Sequence, residues 1–338
     1  MPIRAEWLAQ TKEETLEPEQ IICDPHHHFW EYPDSRYLLE ELLLDTTSGH
    51  KVVSTVFVEC MSKYRKNANK ALAPVGETEF VESIAEISAT EKFGNTRTAA
   101  AIVSFADLLL GEAVDEVLTA HVEASPKRFR GVRHACSWES SDKIRNSHSN
   151  PPPNLYLQEK FRRGFSRLSN FNLTFDAWLY HTQLYELIDL AEAFPEQPIV
   201  LDHVGGPLGI GPYKGHREEV FTEWKKGISE LASCENVFIK LGGLAMAING
   251  FEWHKRDAPP SSKELAEQTR PYFLHCIDEF GPSRCMFESN FPVDKISCSY
   301  NVLWNSFKRI SADFSIQEKN DLFHGTATKF YSIKDSSS

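Results

Sequence analysis

The chain has 338 residues, 41% hydrophobic, 12% aromatic and 25% charged, an ordinary globular composition that excludes a disordered, collagen-like or coiled-coil protein. Thirty-six Lys and Arg against 48 Asp and Glu leave a net charge of -12, and with no basic run in the sequence this excludes nucleic acid and anionic membrane as expected partners. The most apolar runs, Ile199 to Val204 and Val237 to Leu244, fall far short of the roughly 20 residues a membrane helix needs. No secretory signal is readable, so the expected compartment is the cytoplasm.

In chain order, eight strand-length runs are expected: Ile21 to Phe29, Val52 to Cys60, Thr98 to Phe105, Phe129 to Cys136, Leu173 to Tyr180, Ile199 to Val204, Val237 to Leu244 and Cys285 to Pro292. Between them helical spacing predicts helices over Glu77 to Ser88, Ala113 to Ala124, Leu157 to Leu168, Leu184 to Ala193, Arg217 to Ala232 and Ser262 to Phe280. Tyr300 to Ala312 and a tail over Ser315 to Phe330 follow. Strands apolar on both faces, alternating with helices, predict an α/β fold with parallel strands, and eight of them a single-domain (β/α)8 TIM barrel over 1–338. Residues 1–20 read as an N-terminal extension and 333–338 as a frayed tail. The seven cysteines include no CxxC pair and read as reduced core residues.

Nearly every expected strand ends in polar residues: His26 and His28, Glu59, Asp107, Arg133 and His134, Tyr180 and His181, His203, Lys240, and Glu288 with Asn290. A barrel gathers such ends at one mouth, the face where barrel enzymes keep their active sites. Strand alternation puts His26 and His28 on one face with His27 opposite, a pair that can bind a divalent cation if other strands complete the site. His203 is the natural third ligand, with Asn290 beside it. Lys240 could polarise a carbonyl, neutralise a substrate anion, or pair with Glu59 or Glu288. Trp253 and His254 lie in a loop expected to cap the mouth and grip a ring, and Tyr180 and His181 are expected to reach the substrate.

Six segments carry a resemblance: Asp24-Pro25-His26-His27-His28-Phe29-Trp30, Gly131-Val132-Arg133-His134, Phe175-Asp176-Ala177-Trp178-Leu179-Tyr180-His181, Leu201-Asp202-His203-Val204-Gly205-Gly206-Pro207, Ile239-Lys240-Leu241-Gly242-Gly243-Leu244 and Met286-Phe287-Glu288-Ser289-Asn290-Phe291-Pro292-Val293. Together they resemble the amidohydrolase superfamily, within it the amidohydrolase-related (amidohydrolase-2) family that contains lactonases. The resemblance implies a TIM barrel that hydrolyses a small carboxylated or sugar-derived cyclic ester. It implies a divalent metal ion, Zn2+ by preference, on His26, His28, His203 and Asn290, and leaves open catalysis without a cation, with the histidines polarising the carbonyl. Arg133 matches an anion-binding position, and Glu59, His134, Tyr180, His181 and Lys240 would help place the substrate.

One departure stands out. Where the family carries an eighth-strand Asp, this chain has Asn290, whose amide can ligate but cannot act as a base. Glu288, two residues earlier, is the expected replacement base, with Glu59 or Asp294 as alternatives. Two rivals follow from that loss: a non-hydrolytic lyase, decarboxylase or hydratase, of the same superfamily, or a barrel that binds ligands without turnover. The expected partner is a small-molecule substrate. A homo-oligomer is compatible with the class, though no residue argues for it.

Overall fold

The β-branched and apolar runs form eight parallel strands that pair in chain order: β1 (Ile21–His27), β2 (Lys51–Val58), β3 (Arg97–Ser104), β4 (Phe129–Arg133), β5 (Thr174–Ala177), β6 (Ile199–Leu201), β7 (Val237–Leu241) and β8 (Cys285–Phe287). The computed structural model describes residues 3–66, 69–90 and 94–334. The strands make a nearly closed (β/α)8 barrel, sealed where Asn290 N donates to His26 O at 2.9 Å and His28 N to Phe291 O at 2.8 Å. Asp24 reinforces that seam, accepting from Ser289 N at 3.0 Å and from the Tyr300 hydroxyl at 2.9 Å.

All eight expected strands are present, and all eight end earlier than periodicity suggested. The polar residues at their ends leave the ladder: His203 and Val204 turn into left-handed backbone (φ 55° and 49°), as does Asn290 (φ 53°). Side chains other than Gly adopt that region at a cost, which is commonly retained at functional sites.

The helices lie outside. Ser262–Phe280 shows why they form: the Ser261 hydroxyl accepts from Glu264 N at 3.2 Å, Leu265, Ala266, Thr269, Tyr272, Phe273, Cys276 and Ile277 bury one face, and Gly281 (φ 74°) ends it. The expected Ser315 to Phe330 helix is instead two short helices, Ile316–Asn320 and Thr326–Phe330, joined by a wider π turn over Asp321–Gly325. A short helix (Leu39–Thr46) and a two-stranded ribbon (Trp30–Tyr32 with Ser35–Tyr37) went unread in the sequence.

Inside the barrel, Cys23, Val56, Val58, Ala101, Val103, Val200 and Met286 pack with Ala327, Phe330, Tyr331 and Ile333. Ile333 is thus buried, correcting the expectation that fraying begins there, because its side chain completes an apolar cluster; 335–338 lie outside the described residues. The 1–20 extension is tied down where described: Trp7 Nε1 donates to Arg256 O at 3.0 Å and Lys308 Nζ to Leu16 O at 2.7 Å. All seven cysteines are in the thiol form, six of them buried. Among the described residues no helix is long and apolar enough to cross a membrane.

Removing only the Tyr300 hydroxyl leaves Asp24 one donor short in a dry seam. Tyr300→Phe should therefore lower unfolding free energy by about 1–3 kcal/mol in urea titration, and an unchanged midpoint would deny the seam this role.

Candidate active site

Two-residue steps along the inner face carry the chain from the apolar interior into the site. Val200 is followed by Asp202 and Met286 by Glu288, while β4, β5 and β7 contribute Arg133, Asp176 and Lys240, all buried. Room for this cluster depends on Gly242 and Gly243: a Cβ at Gly242 would lie 2.4 Å from Glu288 Cγ, and one at Gly243 2.4 Å from His203 Cβ.

Three imidazoles converge as expected. The His26 ring centroid lies 4.9 Å from that of His28 and 4.5 Å from that of His203, while His27 turns away to the Thr55 hydroxyl at 2.9 Å. Each of the three rings makes its short contact through Nδ1: His28 to Val58 O at 2.7 Å, His203 to Glu288 Oε1 at 2.6 Å, and His26 to Glu288 Oε2 at 2.8 Å. Donation through Nδ1 at His28 and His203 would leave the lone pair on Nε2, as a ligating imidazole is usually held, whereas cations approach both nitrogens of His26, Lys240 Nζ lying 3.2 Å from Nδ1 and the Arg133 guanidinium 3.4 Å from Nε2. Burial holds His26 and His28 below the ordinary imidazole range.

Glu288 also accepts from His203 N at 3.0 Å. Burial pushes its carboxyl up, but His203 and His26 outweigh that and hold it at about 2. Asp202, not singled out from the sequence, faces the same cavity. Burial opposes its charge too, yet Lys240 and His26 hold it well below the usual carboxylate range. His26, Asp202 and His203 offer ligand atoms within 4.8 Å of one another, a group able to hold a metal ion.

The expected pairing of Lys240 with Glu59 or Glu288 is corrected. Its ammonium sits 2.6 Å from Asp176 Oδ2 and 3.0 Å from Asp202 Oδ1, because β5 and β6 place those carboxylates opposite β7 in the interior. Asp176 also accepts from the Tyr331 hydroxyl at 2.7 Å. Burial raises Asp176 to about 6 against the pull of Lys240, which leaves it ionised at pH 7.

Arg133 does not present a free fork to a substrate. Its Nε lies 2.8 Å from Glu59 Oε1, and its two terminal nitrogens reach Asp202 Oδ2 at 3.3 Å and Glu59 O at 2.5 Å. Glu59 takes a further contact from His148 Nε2 at 2.8 Å, and together His148 and Arg133 overcome burial to hold Glu59 at about 2. His148 lies in the long loop after β4, where sequence spacing gave it no partner.

Other expected residues are engaged locally. His134 Nδ1 accepts from Leu108 N at 3.2 Å and His181 Nδ1 from Leu208 N at 3.4 Å, and burial lowers both imidazoles to about 4. Tyr180 donates to Arg145 O, bracing the post-β4 loop. Trp253 does not cap the mouth: it stacks on Phe251 at 4.4 Å and lines a small apolar cavity with Leu265, Phe273 and Phe307, since the apolar face of the Ser262–Phe280 helix draws it inward. His254, partly exposed, gives its carbonyl to Arg4. Asp294, an alternative base, is pushed well up by burial beside Glu288 and is bonded to Ala245 N at 3.2 Å. Asn290 donates to Asp294 Oδ1 at 3.1 Å, and its own Oδ1 is buried without a partner.

The donor set fits a divalent cation. Four buried carboxylates (Glu59, Asp176, Asp202 and Glu288) face two buried cations (Arg133 and Lys240), leaving an excess of two carboxylates beside the three imidazoles and the unsatisfied Asn290 oxygen.

A parallel barrel with histidines and carboxylates at its strand ends defines a barrel-enzyme architecture. The amidohydrolase family model, Amidohydro_2, matches residues 23–333, and the chain belongs to that family. It is 31% identical over 326 residues to "Uncharacterized protein y4mH" of Sinorhizobium fredii, covering 92% of this chain and 98% of that one. It is 24% identical to an L-fucono-1,5-lactonase of Burkholderia multivorans, covering 93% and 97% respectively. Among solved structures, an amidohydrolase from Burkholderia multivorans with bound zinc superposes with a TM-score of 0.70 at 22% identity, covering 93% of this chain and 100% of that one. A manganese complex of 5-carboxyvanillate decarboxylase from Novosphingobium aromaticivorans superposes at 0.56 and 12% identity, covering 94% and 98%, a likeness of fold.

Arg133→Met tests the charge network. It strands Glu59 and Asp202 without their guanidinium, so denaturant titration should show a loss of about 3–5 kcal/mol; a loss below about 1 kcal/mol would mean that the pairing contributes little.

Proposed function

We propose that this protein is a metal-assisted hydrolase that opens a small lactone, sugar-derived or carboxylated. The convergence of three imidazoles within a buried cluster that holds two more carboxylates than cations carries this reading. Family membership and relatives named as lactonases support it.

His26, His203 and Asp202 would hold the metal, with His28 and Asn290 Oδ1 completing the donor set. When bound, such a cation lowers the pKa of water toward about 7 and polarises an ester carbonyl. The chain's own work is positional. Glu288, with contacts from both rings and an amide, orients His26 and His203 and is a positioning residue rather than the free base anticipated from the sequence. Lys240 and Arg133 keep Asp202 ionised and fixed. Trp178, edge-on to His203 at 4.8 Å, and Trp30, stacked on His28 at 5.9 Å, flank the imidazoles with apolar surface suited to a ring's carbon face.

Glu288→Gln separates positioning from proton transfer. A positioning role lowers metal affinity and lactone turnover together, by about 10–100-fold. A base role lowers kcat by about 100-fold or more with metal content unchanged, and that result would reverse the assignment.

Chelation should abolish turnover of an aldonolactone panel and added Zn2+ or Mn2+ restore it, with oxygen from labelled water entering the acid product. Carbon dioxide release from aromatic acids without label uptake would identify a lyase. Full lactone turnover by metal-free protein would remove the cation from the reaction.

A further inference from the structure

The far end of the barrel carries a second concave feature. A cleft of 760 Å³ lies among the turns entering β3 and β4 and the segment after the Thr326–Phe330 helix. Arg97, Lys127, Arg128, Arg130 and Lys334 line it, five cations gathered in a chain of net charge -12. Lys127, Arg128 and Arg130 come from one short segment, and the fold adds Arg97 and Lys334 from two others.

Among the described residues, only Arg128 of the five has a carboxylate partner, Glu82. Arg97 donates to Lys334 O, and Arg130 donates to Phe129 O at 3.0 Å and Lys127 O at 2.5 Å, all neutral acceptors. Arg130 is partly buried, so its charge is partly desolvated, and among the described residues no carboxylate pairs with it. A second observation is independent of charge. The Ser88 and Thr98 hydroxyls, both buried, line the same cleft and have no hydrogen-bond partner among the described residues. Buried hydroxyls are normally satisfied.

We propose that this cleft binds a small oxyanion of two or more negative charges, held by the Arg97 and Arg130 guanidiniums and by Lys127, with the Ser88 and Thr98 hydroxyls donating to its oxygens. Guanidinium forks match phosphate and carboxylate geometry, and the lysine adds a point charge. A bounded cleft on an otherwise acidic surface suits a compact ligand and disfavours an extended polyanion such as nucleic acid. The proposal is independent of the reaction at the opposite mouth.

Calorimetric titration of the full chain at low salt with pyrophosphate, and separately with citrate, tests it. At least one should bind saturably, pyrophosphate indicating a phosphate-bearing ligand and citrate a polycarboxylate. Arg97→Gln and Arg130→Gln should each weaken binding by about tenfold or more. Lys127→Gln, at an exposed position that leaves packing intact, should weaken it as well. Lys160→Gln, which removes the same charge from the exposed surface of the Glu159–Phe165 helix, should leave it unchanged. Absence of saturable binding, or equal weakening by Lys160→Gln, would overturn the proposal.

Discussion

A single buried carboxylate ties the site together. Glu288 follows β8 and accepts from the backbone and ring of His203, after β6, and from the ring of His26 on β1. Because its ring contact with His203 is through Nδ1, the same carboxylate that joins the strands also orients that imidazole. Its position in turn requires two consecutive glycines after β7, where any Cβ would displace Glu288 or His203. Fold closure and ligand geometry are therefore one constraint.

The charges around that carboxylate are organised in two layers. Deeper in the barrel, Lys240 bridges Asp176 and Asp202; nearer the second and fourth strands, Arg133 bridges Glu59 and Asp202. Asp202 belongs to both, so it is the point where the two ion-pair chains and the histidine cluster meet. Removing ions from water is costly, and arrays like this persist where each ion has a partner of opposite sign and its hydrogen bonds are met. In the proposed function, the surplus of negative charge is what would favour a bound cation.

The barrel was legible because its strands are apolar on both faces and its helices one-sided, as the agreement over Leu184–Ala193, Arg217–Ala232 and Ser262–Phe280 shows. His26, His28 and His203 were legible because two sit at alternate positions and the third ends an apolar run. Asp202 was missed although adjacent to His203: strand alternation admits one of the two inward, and both enter only because the backbone turns left-handed at His203. Arg133 looked free for a substrate, since nothing in its own segment indicates that Glu59 and Asp202 take its donors. Trp253 looked like a lid because its apolar neighbours, Leu265 and Phe273, come from the following helix. Pairings between distant segments are what periodicity cannot carry.

Tyr331 sits in the interior cluster with its hydroxyl on Asp176. A nascent polypeptide that has emerged from the ribosome only as far as residue 325 already contains every strand of the barrel, yet lacks this phenol and the apolar plug around it. Asp176 and Lys240 then face an open, wet interior until synthesis has passed the final helix. Docking of that segment is what closes the interior, sealing the Asp176–Lys240 pair beneath the histidine cluster.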